Sequence, residues 1–493
     1  MLKIYDRVIK RQKNFWNGCV FHPTDAVEDS WGKRILDKMA EDGAIKTVRI
    51  YAMLEDIVYL DEDDNLCYDF RVSDTRLDYL VEKGFNLLIA YAGMPDCIAK
   101  TTEGKTTAAK NKTRYKGKMW NTSPPKSQAL WEEVCYQYTK HNVERYGKER
   151  VAQWRCHCFN ESDIELFFMS SLPYEDLETR ASEYCSLYEG FVNGVSRACK
   201  EMSIGGPALA YREDFFEYFL NFVKEKNLRL DFISLHYYGA EPYELNEGLK
   251  EFGVSNILEK HSRKLAVIEK CGFTDKPVLI DEWGACSHGF FNIEECPQLI
   301  FRETEQYPAY YTRLIHDIVY SDMKMEELMI CLSGQHEMVE DFSGFRNFFT
   351  LNFIKKPIYN AFIMASKLGE DVLDYTCDTP HVFALPTKTE KGYAVLFTYA
   401  ADNFSDGIED GEERVCFEED ITGKKLTIWV IDKTHTNPYA LYQKMGITNP
   451  NKEDLKLLRE EGRMKPIYEG EGKNEVFLSI TANATYLITV ENK

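Results

Sequence analysis

Two acidic residues follow predicted buried strands and are well separated along the chain. Glu161 comes just after the strand-like run 153–159, and Glu282 just after the run 277–281. Two carboxyl groups facing each other can cleave a glycosidic bond, because one acid protonates the leaving oxygen while the other carboxylate attacks or stabilises the oxocarbenium-like centre. One of the pair must hold a proton while the other stays ionised, so their surroundings have to differ.

Polar and aromatic residues at other strand ends could create those surroundings. Arg49 could keep the strand-seven carboxylate ionised, Asn160 could bind a sugar 2-hydroxyl, and Tyr238 could position both carboxylate and sugar. The other strand-end candidates are Tyr51, His236, Trp283, His336 and Glu337. Each has an ordinary structural explanation when taken alone: Asn-Glu occurs three times in the chain, and His236 could be a core histidine. The prediction depends on their combination, order and position.

The elements needed to position these residues are eight strands that alternate with helices. The predicted strands are residues 16–21, 47–51, 86–91, 153–159, 202–206, 231–236, 277–281 and 328–332. Amphipathic stretches lie between them, which indicates parallel strands and favours a closed (β/α)8 TIM barrel. A doubly wound open sheet is the main alternative, but no glycine-rich phosphate loop follows the first strand. In a barrel, the carboxyl ends of the strands share one mouth.

The pattern changes after residue 369. Runs at 382–386, 393–399, 425–430, 476–480 and 485–490 alternate as antiparallel strands do. We therefore predict a catalytic barrel over residues 1–368 and a small accessory β-sandwich over 369–493, with the first 12 or so residues packed on the sandwich. Residues 437–463 are predicted to form a loop and one helix.

Composition restricts the possible partners and compartment. The chain has 493 residues and a formal charge of −20, which argues against nucleic acid and anionic membranes as partners. The start of the sequence contains no apolar run of signal-peptide length, so we expect a cytoplasmic location. The 14 cysteines are scattered along the chain, and in that compartment we expect them to be free thiols. Cys156-His157-Cys158 lacks the second ligand pair of a zinc site, so neither a metal nor a cofactor is expected.

Several segments, in order, resemble glycoside hydrolase family 39, the retaining β-xylosidase and α-L-iduronidase family. The similar segments are Phe15-Trp16-Asn17-Gly18-Cys19-Val20, Thr47-Val48-Arg49-Ile50-Tyr51, Gly93-Met94-Pro95, Pro124-Pro125-Lys126, Glu144-Arg145-Tyr146-Gly147, Ile204-Gly205-Gly206-Pro207-Ala208, Asp231-Phe232-Ile233-Ser234-Leu235-His236, Lys356-Pro357-Ile358-Tyr359-Asn360-Ala361-Phe362, Asn437-Pro438-Tyr439 and Met445-Gly446. Each is weak alone, but their order over nearly the whole chain is specific.

The resemblance implies a role for each site residue. Glu161 would be the general acid/base and Glu282 the nucleophile, with their carboxyl groups about 5–5.5 Å apart, as in retaining enzymes. Asn160 would bind near the 2-hydroxyl. His236 and Tyr238 would line the −1 subsite, and Glu337 would bind a sugar hydroxyl.

The sequence also departs from the family pattern around the sugar. Trp-Asn-Glu-Pro is replaced by Phe159-Asn160-Glu161-Ser162, and His-Gly in the second strand by Tyr51-Ala52. Asp281-Glu282-Trp283 stands for Thr-Glu-Phe, and Gly334-Gln335-His336 for an Asp followed by apolar residues. We expect Tyr51 to reshape the −1 subsite and Trp283 to provide a stacking wall.

These observations predict a retaining exo-glycosidase that removes terminal sugars, foremost β-xylosides, from short oligosaccharides. β-Glucosides, β-galactosides and α-L-arabinosides remain open. An α-L-iduronide is less expected, because its carboxylate needs a further cation and the strand ends offer only Arg49. Transglycosylation with the same residues and a non-catalytic carbohydrate-binding relative are the alternatives. The resemblance also suggests a homo-oligomer built partly through the C-terminal region.

Overall fold

The computed structural model describes residues 1–22, 25, 27–106, 120–169, 172, 176–240, 252–321, 323–404 and 406–492. The strands are β1 Leu2–Arg11, β2 Gly18–Phe21, β3 Thr47–Tyr51, β4 Val58–Leu60, β5 Leu66–Tyr68, β6 Asn86–Tyr91, β7 Lys105–Thr106, β8 Trp120–Asn121, β9 Arg155–Cys158, β10 Ser203–Leu209, β11 Phe232–Ala240, β12 Val278–Cys286, β13 Glu327–Leu332, β14 Asp371–Cys377, β15 Val382–Thr389, β16 Gly392–Tyr399, β17 Gly411–Phe417, β18 Lys425–Ile431, β19 Pro466–Glu471, β20 Glu475–Ile480 and β21 Ala484–Glu491.

The helices are α1 Ser30–Asp42, α2 Arg71–Glu82, α3 Gln128–Tyr146, α4 Lys148–Val151, α5 Leu177–Ala198, α6 Glu213–Glu225, α7 Val254–Cys271, α8 Gln306–Tyr320, α9 Pro357–Ala365, α10 Pro438–Met445 and α11 Lys452–Glu461. Helix boundaries follow local chemistry. For example, the Asp29 side chain accepts the N–H of Gly32 at the start of α1, and Gly43 ends that helix with φ of 64°.

Eight parallel strands close into a barrel in the order β10-β11-β12-β13-β2-β3-β6-β9. The predicted TIM barrel is therefore confirmed, and each of the eight predicted strands is present. The strands are buried because helices cover the outside of the barrel and side chains fill its interior. The apolar runs of the eight predicted strands indicated this burial. The carboxyl ends of all eight strands form a single mouth.

A second, mostly antiparallel sheet has nine strands in the order β19-β18-β21-β16-β15-β14-β1-β17-β20. The N-terminal strand β1 is part of it, antiparallel to β14 and parallel to β17. The sequence prediction missed β14, β17 and β19. It was also wrong about residues 437–463, which form two helices, α10 and α11. An Asn451 capping box starts the second helix.

The central strands of this sheet are buried on both faces. Val395 and Ile488 belong to a core within the sheet region, together with Ile4 of β1. Their neighbours Leu396 and Leu487 belong instead to the core that the sheet shares with the barrel, where α8 packs against β15, β16 and β21. No helix in the described part of the chain combines the length and the apolar character that a bilayer crossing requires.

Candidate active site

The two predicted acids meet at the carboxyl-terminal mouth of the barrel. Glu161 lies in the turn after β9, and Glu282 lies in β12, three strands further around the barrel. A carboxylate oxygen of one lies within 4.8 Å of a carboxylate oxygen of the other. Each side chain is 12% exposed. The structure therefore brings together, at an accessible position, the pair that the sequence indicated.

The backbone beneath Glu161 is held in an unusual conformation. Phe159 and Glu161 have positive φ angles of 58° and 49°, which residues with side chains rarely adopt. Two hydrogen bonds hold the turn, from the Phe159 N–H to the Tyr91 carbonyl at 3.0 Å and from the Glu161 N–H to the Ala208 carbonyl at 2.9 Å. Such conformations persist where the surrounding structure enforces them, and they concentrate at functional sites.

Asp163 joins the Glu161 loop to the loop that follows β10. Its fully buried carboxylate accepts hydrogen bonds from the backbone N–H groups of Ala210, Tyr211 and Arg212, at 2.9, 2.8 and 3.0 Å. Three donors converge on one side chain, which gives the two loops a common anchor two residues from Glu161. The sequence prediction did not identify Asp163.

The surroundings of Glu282 favour its ionised form. The Arg49 guanidinium lies 3.0 Å from one carboxylate oxygen, and the Tyr238 hydroxyl donates a hydrogen bond to the other. Burial by itself would raise the pKa of Glu282. The charges of His236 and Arg49 outweigh burial and hold that pKa well below its usual range.

The surroundings of Glu161 act in the opposite direction. Burial raises the pKa of Glu161, and the nearby negative charge of Glu282 adds to the effect. His236 opposes it, because its Nδ1 lies 2.8 Å from a Glu161 oxygen. The outcome is a raised pKa for Glu161 beside a depressed one for Glu282, which is the division of roles that acid and nucleophile require.

Arg49 is a fully buried centre of polar contacts. It donates to the side-chain oxygen of Asn160 and to Nε2 of His157 at 3.0 Å, and its Nε lies 3.2 Å from Asp281. Arg49 occupies the side-chain oxygen of Asn160. The NH₂ group of Asn160 is therefore the part that can contact a ligand, as a donor to a hydroxyl. His157, which the sequence offered only within a cysteine cluster, is a neighbour of the site.

Arg346 is a second arginine of the site, and sequence reasoning missed it. Its guanidinium donates to the Tyr238 hydroxyl at 2.7 Å and to the Ser333 hydroxyl at 2.8 Å. It forms no ion pair with a carboxylate among the described residues. It lies in the long segment between β13 and α9, not at a strand end. The only sequence signal was an arginine among the buried aromatics Phe345 and Phe348.

Aromatic rings line the mouth beside Arg49. Tyr51 is 4% exposed, and its ring lies 5.2 Å from that of Trp120. The Arg49 guanidinium lies 5.2 Å from the Tyr51 ring, and His22 stacks on Trp120 at 5.6 Å. Tyr51 therefore lies beside Arg49, and its effect on the sugar subsite stays a prediction. His22 and Trp120 had no strand-end signal in the sequence beyond their residue types.

Trp283 does not lie in the mouth, so the expected stacking wall is wrong. Its side chain is fully buried and stacks on Tyr311 of α8, with ring centres 5.9 Å apart. Successive strand residues point to opposite faces. Because Glu282 faces the mouth, its neighbour Trp283 faces the helical layer.

The turn after β13 carries the last predicted residues. His336 is half-buried, and its Nε2 lies 3.8 Å from Asp29 at the start of α1. Gln335 donates to both oxygens of the same aspartate, at 3.1 and 3.0 Å. Glu337 is also half-buried, and its N–H bonds to the Gly334 carbonyl at 3.1 Å. Their participation in sugar binding stays a prediction.

The chain is similar to known proteins over most of its length. A family profile described as "Glycosyl hydrolases family 39" matches residues 2–471. A β-xylosidase from Caldicellulosiruptor saccharolyticus is 24% identical, with 99% of this chain and 97% of that protein aligned. A β-xylosidase from Geobacillus stearothermophilus is 25% identical over 74% of this chain and 70% of that protein.

The fold has solved counterparts. The structure of a monomeric β-xylosidase from Caulobacter crescentus CB15 superimposes with a TM-score of 0.81 at 19% identity, and covers 100% of this chain and 99% of that one. At this identity the match shows a shared fold, extending over the barrel and the nine-stranded sheet together.

Proposed function

The chain belongs to glycosyl hydrolase family 39, and from this membership we propose that it is a retaining, exo-acting glycosidase with Glu161 as general acid/base and Glu282 as nucleophile. The observation that carries the proposal is the pair of carboxylates within 4.8 Å of each other. Retaining enzymes hold their two carboxyl groups about 5–5.5 Å apart, whereas inverting enzymes leave about 6.5–9.5 Å for a water.

The proposed reaction has two displacements at the anomeric carbon. In the first, the Glu282 carboxylate attacks that carbon while the Glu161 acid gives its proton to the leaving oxygen. In the second, the Glu161 carboxylate takes a proton from water, whose oxygen attacks the same carbon and releases Glu282. The opposite pKa shifts of the two residues support these starting protonation states.

We propose a β-xyloside as the substrate because the relatives aligned over most of this chain are named β-xylosidases. Asn160, His236, Tyr238, Arg49 and Tyr51 surround the two acids and would form the −1 subsite, with Glu337 and His336 on the neighbouring turn. β-Glucosides, β-galactosides and α-L-arabinosides remain to be tested alongside. A sugar acceptor in place of water would give transglycosylation with the same residues.

One observation favours an acidic glycoside as a second candidate. The sequence offered Arg49 as the only arginine at the strand ends, but the structure adds Arg346, 6% exposed and hydrogen-bonded to Tyr238. A buried guanidinium without a carboxylate among its described contacts could bind a sugar carboxylate. Arg346 also supports the Tyr238 hydroxyl that binds Glu282. Turnover of a uronide substrate would distinguish a carboxylate-binding role from this supporting role.

All 14 cysteines are free thiols, which supports the proposed cytoplasmic location because disulfides form mainly in oxidising compartments. We propose that the substrate in the cytoplasm is a short oligosaccharide. The acidic surface indicated by the charge of −20 favours neutral substrates over anionic polymers.

The proposal is tested with a panel of nitrophenyl glycosides that includes a uronide. We expect turnover of the β-xyloside, with the β-anomer of xylose released first in an NMR time course. Glu282→Gln should reduce turnover to background. Glu161→Gln should lose about 10²–10⁴-fold on substrates with poor leaving groups and much less on nitrophenyl substrates, which need little protonation.

Glu326→Gln is the matched control, because this exposed glutamate lies next to β13 at the opposite end of the barrel. Near-normal activity of Glu282→Gln, or first release of the α-anomer, would refute the retaining mechanism. Saturable sugar binding without turnover of any glycoside would instead indicate a carbohydrate-binding relative.

A further inference from the structure

A buried aspartate lies directly before the proposed nucleophile, where the family resemblance expects a threonine. The side chain of Asp281 is fully buried. One oxygen lies 3.2 Å from Arg49 Nε and 3.4 Å from His157 Nε2, and the other lies 3.6 Å from His236 Nε2. Neither oxygen accepts a regular hydrogen bond within the described chain. Close positive charge is therefore what compensates this carboxylate.

His236 lies between Asp281 and the two glutamates. Its Nε2 faces Asp281 at 3.6 Å, while its Nδ1 lies 2.8 Å from Glu161 and 3.8 Å from Glu282. A neutral imidazole carries one donor and one acceptor nitrogen, and only the imidazolium carries a proton on both. Because Nε2 faces the Asp281 carboxylate and Nδ1 also lies near the ionised Glu282, the arrangement favours the imidazolium.

We infer that Asp281 is a positioning residue that acts through His236: it holds the imidazole between the two glutamates as an imidazolium, whose Nδ1–H binds Glu161. The inference rests on the proposed roles of Glu161 and Glu282. It assigns a purpose to one of the departures from the family pattern.

The other charged neighbours of His236 are consistent with this state. Burial alone would lower the pKa of His236, but Asp281 and Glu282 raise it to about 10. Arg49 lies 3.2 Å from Asp281 and 3.0 Å from Glu282, and so it interacts with both carboxylates. The charge of Arg346 acts on Glu282. Burial, helped by Arg49, lowers the pKa of His157 to about 3. His157 is therefore neutral, and His236 is the protonated imidazole of the pair.

The imidazolium would serve the first displacement. As Glu161 gives up its proton it becomes a carboxylate in a buried position, where an isolated charge is costly. A cation at 2.8 Å stabilises that carboxylate. Without Asp281, His236 would lose its charge, Glu161 would become a weaker acid, and its pKa would rise.

The test replaces Asp281 with the near-isosteric amide. In Asp281→Asn with ¹⁵N-labelled histidines, the His236 ring nitrogens, assigned with a His236→Gln variant, should titrate near the ordinary value of about 6.5. In the unaltered protein they should stay protonated up to about pH 10. The alkaline limb of kcat/KM should move to higher pH in the variant.

Two further variants keep the test decisive. Asp281→Thr restores the residue of the family pattern and should reproduce both shifts if the amide variant folds poorly. Glu327→Gln removes another buried barrel carboxylate, at the amino end of β13, and should leave His236 unchanged. An unaltered His236 titration in both Asp281 variants would overturn the inference. A shifted titration combined with full activity of Glu282→Gln would refute the proposed function, while the control of the His236 charge by Asp281 would stand.

Discussion

At the residue scale, the site separates the chemistry of two glutamates through their neighbours. Glu282 lies beside a guanidinium and a hydroxyl, whereas Glu161 has His236 as its close polar partner and is otherwise dominated by burial. The same functional group is thereby favoured as a carboxylate in one place and as an acid in the other. Activity is expected only between the two pKa values.

Tyr238→Phe tests how the depressed pKa of Glu282 is maintained. Losing the hydroxyl removes a hydrogen bond to the carboxylate, worth about 1.5–3 kcal/mol, which corresponds to roughly one to two pH units. The pKa of Glu282 should rise. Because the reaction needs ionised Glu282, the acid limb of kcat/KM should move to higher pH, with the alkaline limb of Glu161 in place.

The matched control is Tyr237→Phe. Tyr237 is adjacent in β11 but packs against His261 in the helical layer, so its loss should leave both limbs unchanged. An acid limb that stays in place in Tyr238→Phe would show that the charges of His236, Arg49 and Arg346 set the ionisation of Glu282 without this hydroxyl.

At the element scale, loops at the strand ends are joined to one another before they present the catalytic groups. Asp163 holds the loop after β9 against the loop after β10 through three backbone N–H groups. The strained turn at Glu161 also bonds to Ala208 of β10. Glu161 is therefore positioned by two neighbouring strand ends.

Asp163→Ala should uncouple the two loops. Three buried N–H groups would lose their acceptor, at a cost of about 1–3 kcal/mol for each that remains without a partner. We expect a lower melting temperature and a reduced kcat, because Glu161 is no longer held. Asp163→Asn keeps one acceptor oxygen and should lie between the two.

Asp214→Asn serves as the control, since Asp214 lies just after the same loop but its side chain is 55% exposed. Calorimetry and nitrophenyl glycoside kinetics measure both effects. Unchanged stability and kcat in Asp163→Ala would contradict the anchoring role.

At the scale of the whole molecule, the two ends of the chain form one sheet. Strand β1 pairs with β14 and β17, so the first residues lie beside strands about 360 or more positions later in the chain. Leu2 and Ile4 are buried in the same core as Val395 and Ile488. We propose that residues 369–493 and the first strand together form the accessory domain, in a sandwich arrangement packed on α8 of the barrel.

Ile4→Ala should therefore destabilise the molecule although it lies near the N-terminus. A buried isoleucine replaced by alanine typically costs about 2–5 kcal/mol. Ile9→Ala in the same strand is the control, because Ile9 is 43% exposed. Thermal unfolding should show a clear loss for the first variant and little change for the second. Equal melting temperatures would mean that β1 contributes little to the sheet.

The barrel, its strand positions and the pair Glu161 and Glu282 were predictable from sequence. Their signals are local: buried strands show as short apolar runs, and in a barrel every strand end reaches the same mouth. The accessory strands β14, β17 and β19 were harder to predict, because half-exposed strands with polar residues resemble loops.

Other features depended on contacts between distant residues. Arg346 reaches Tyr238 across 108 positions, and Trp283 turns away from the mouth because strand register assigns it the opposite face. The charge on His236 depends on Asp281 and Glu282 of the neighbouring strand β12, and on Glu161 after β9. Residue types and local periodicity can be read directly from the sequence. The direction and the ionisation state of a side chain depend on distant residues that come together only when the chain folds.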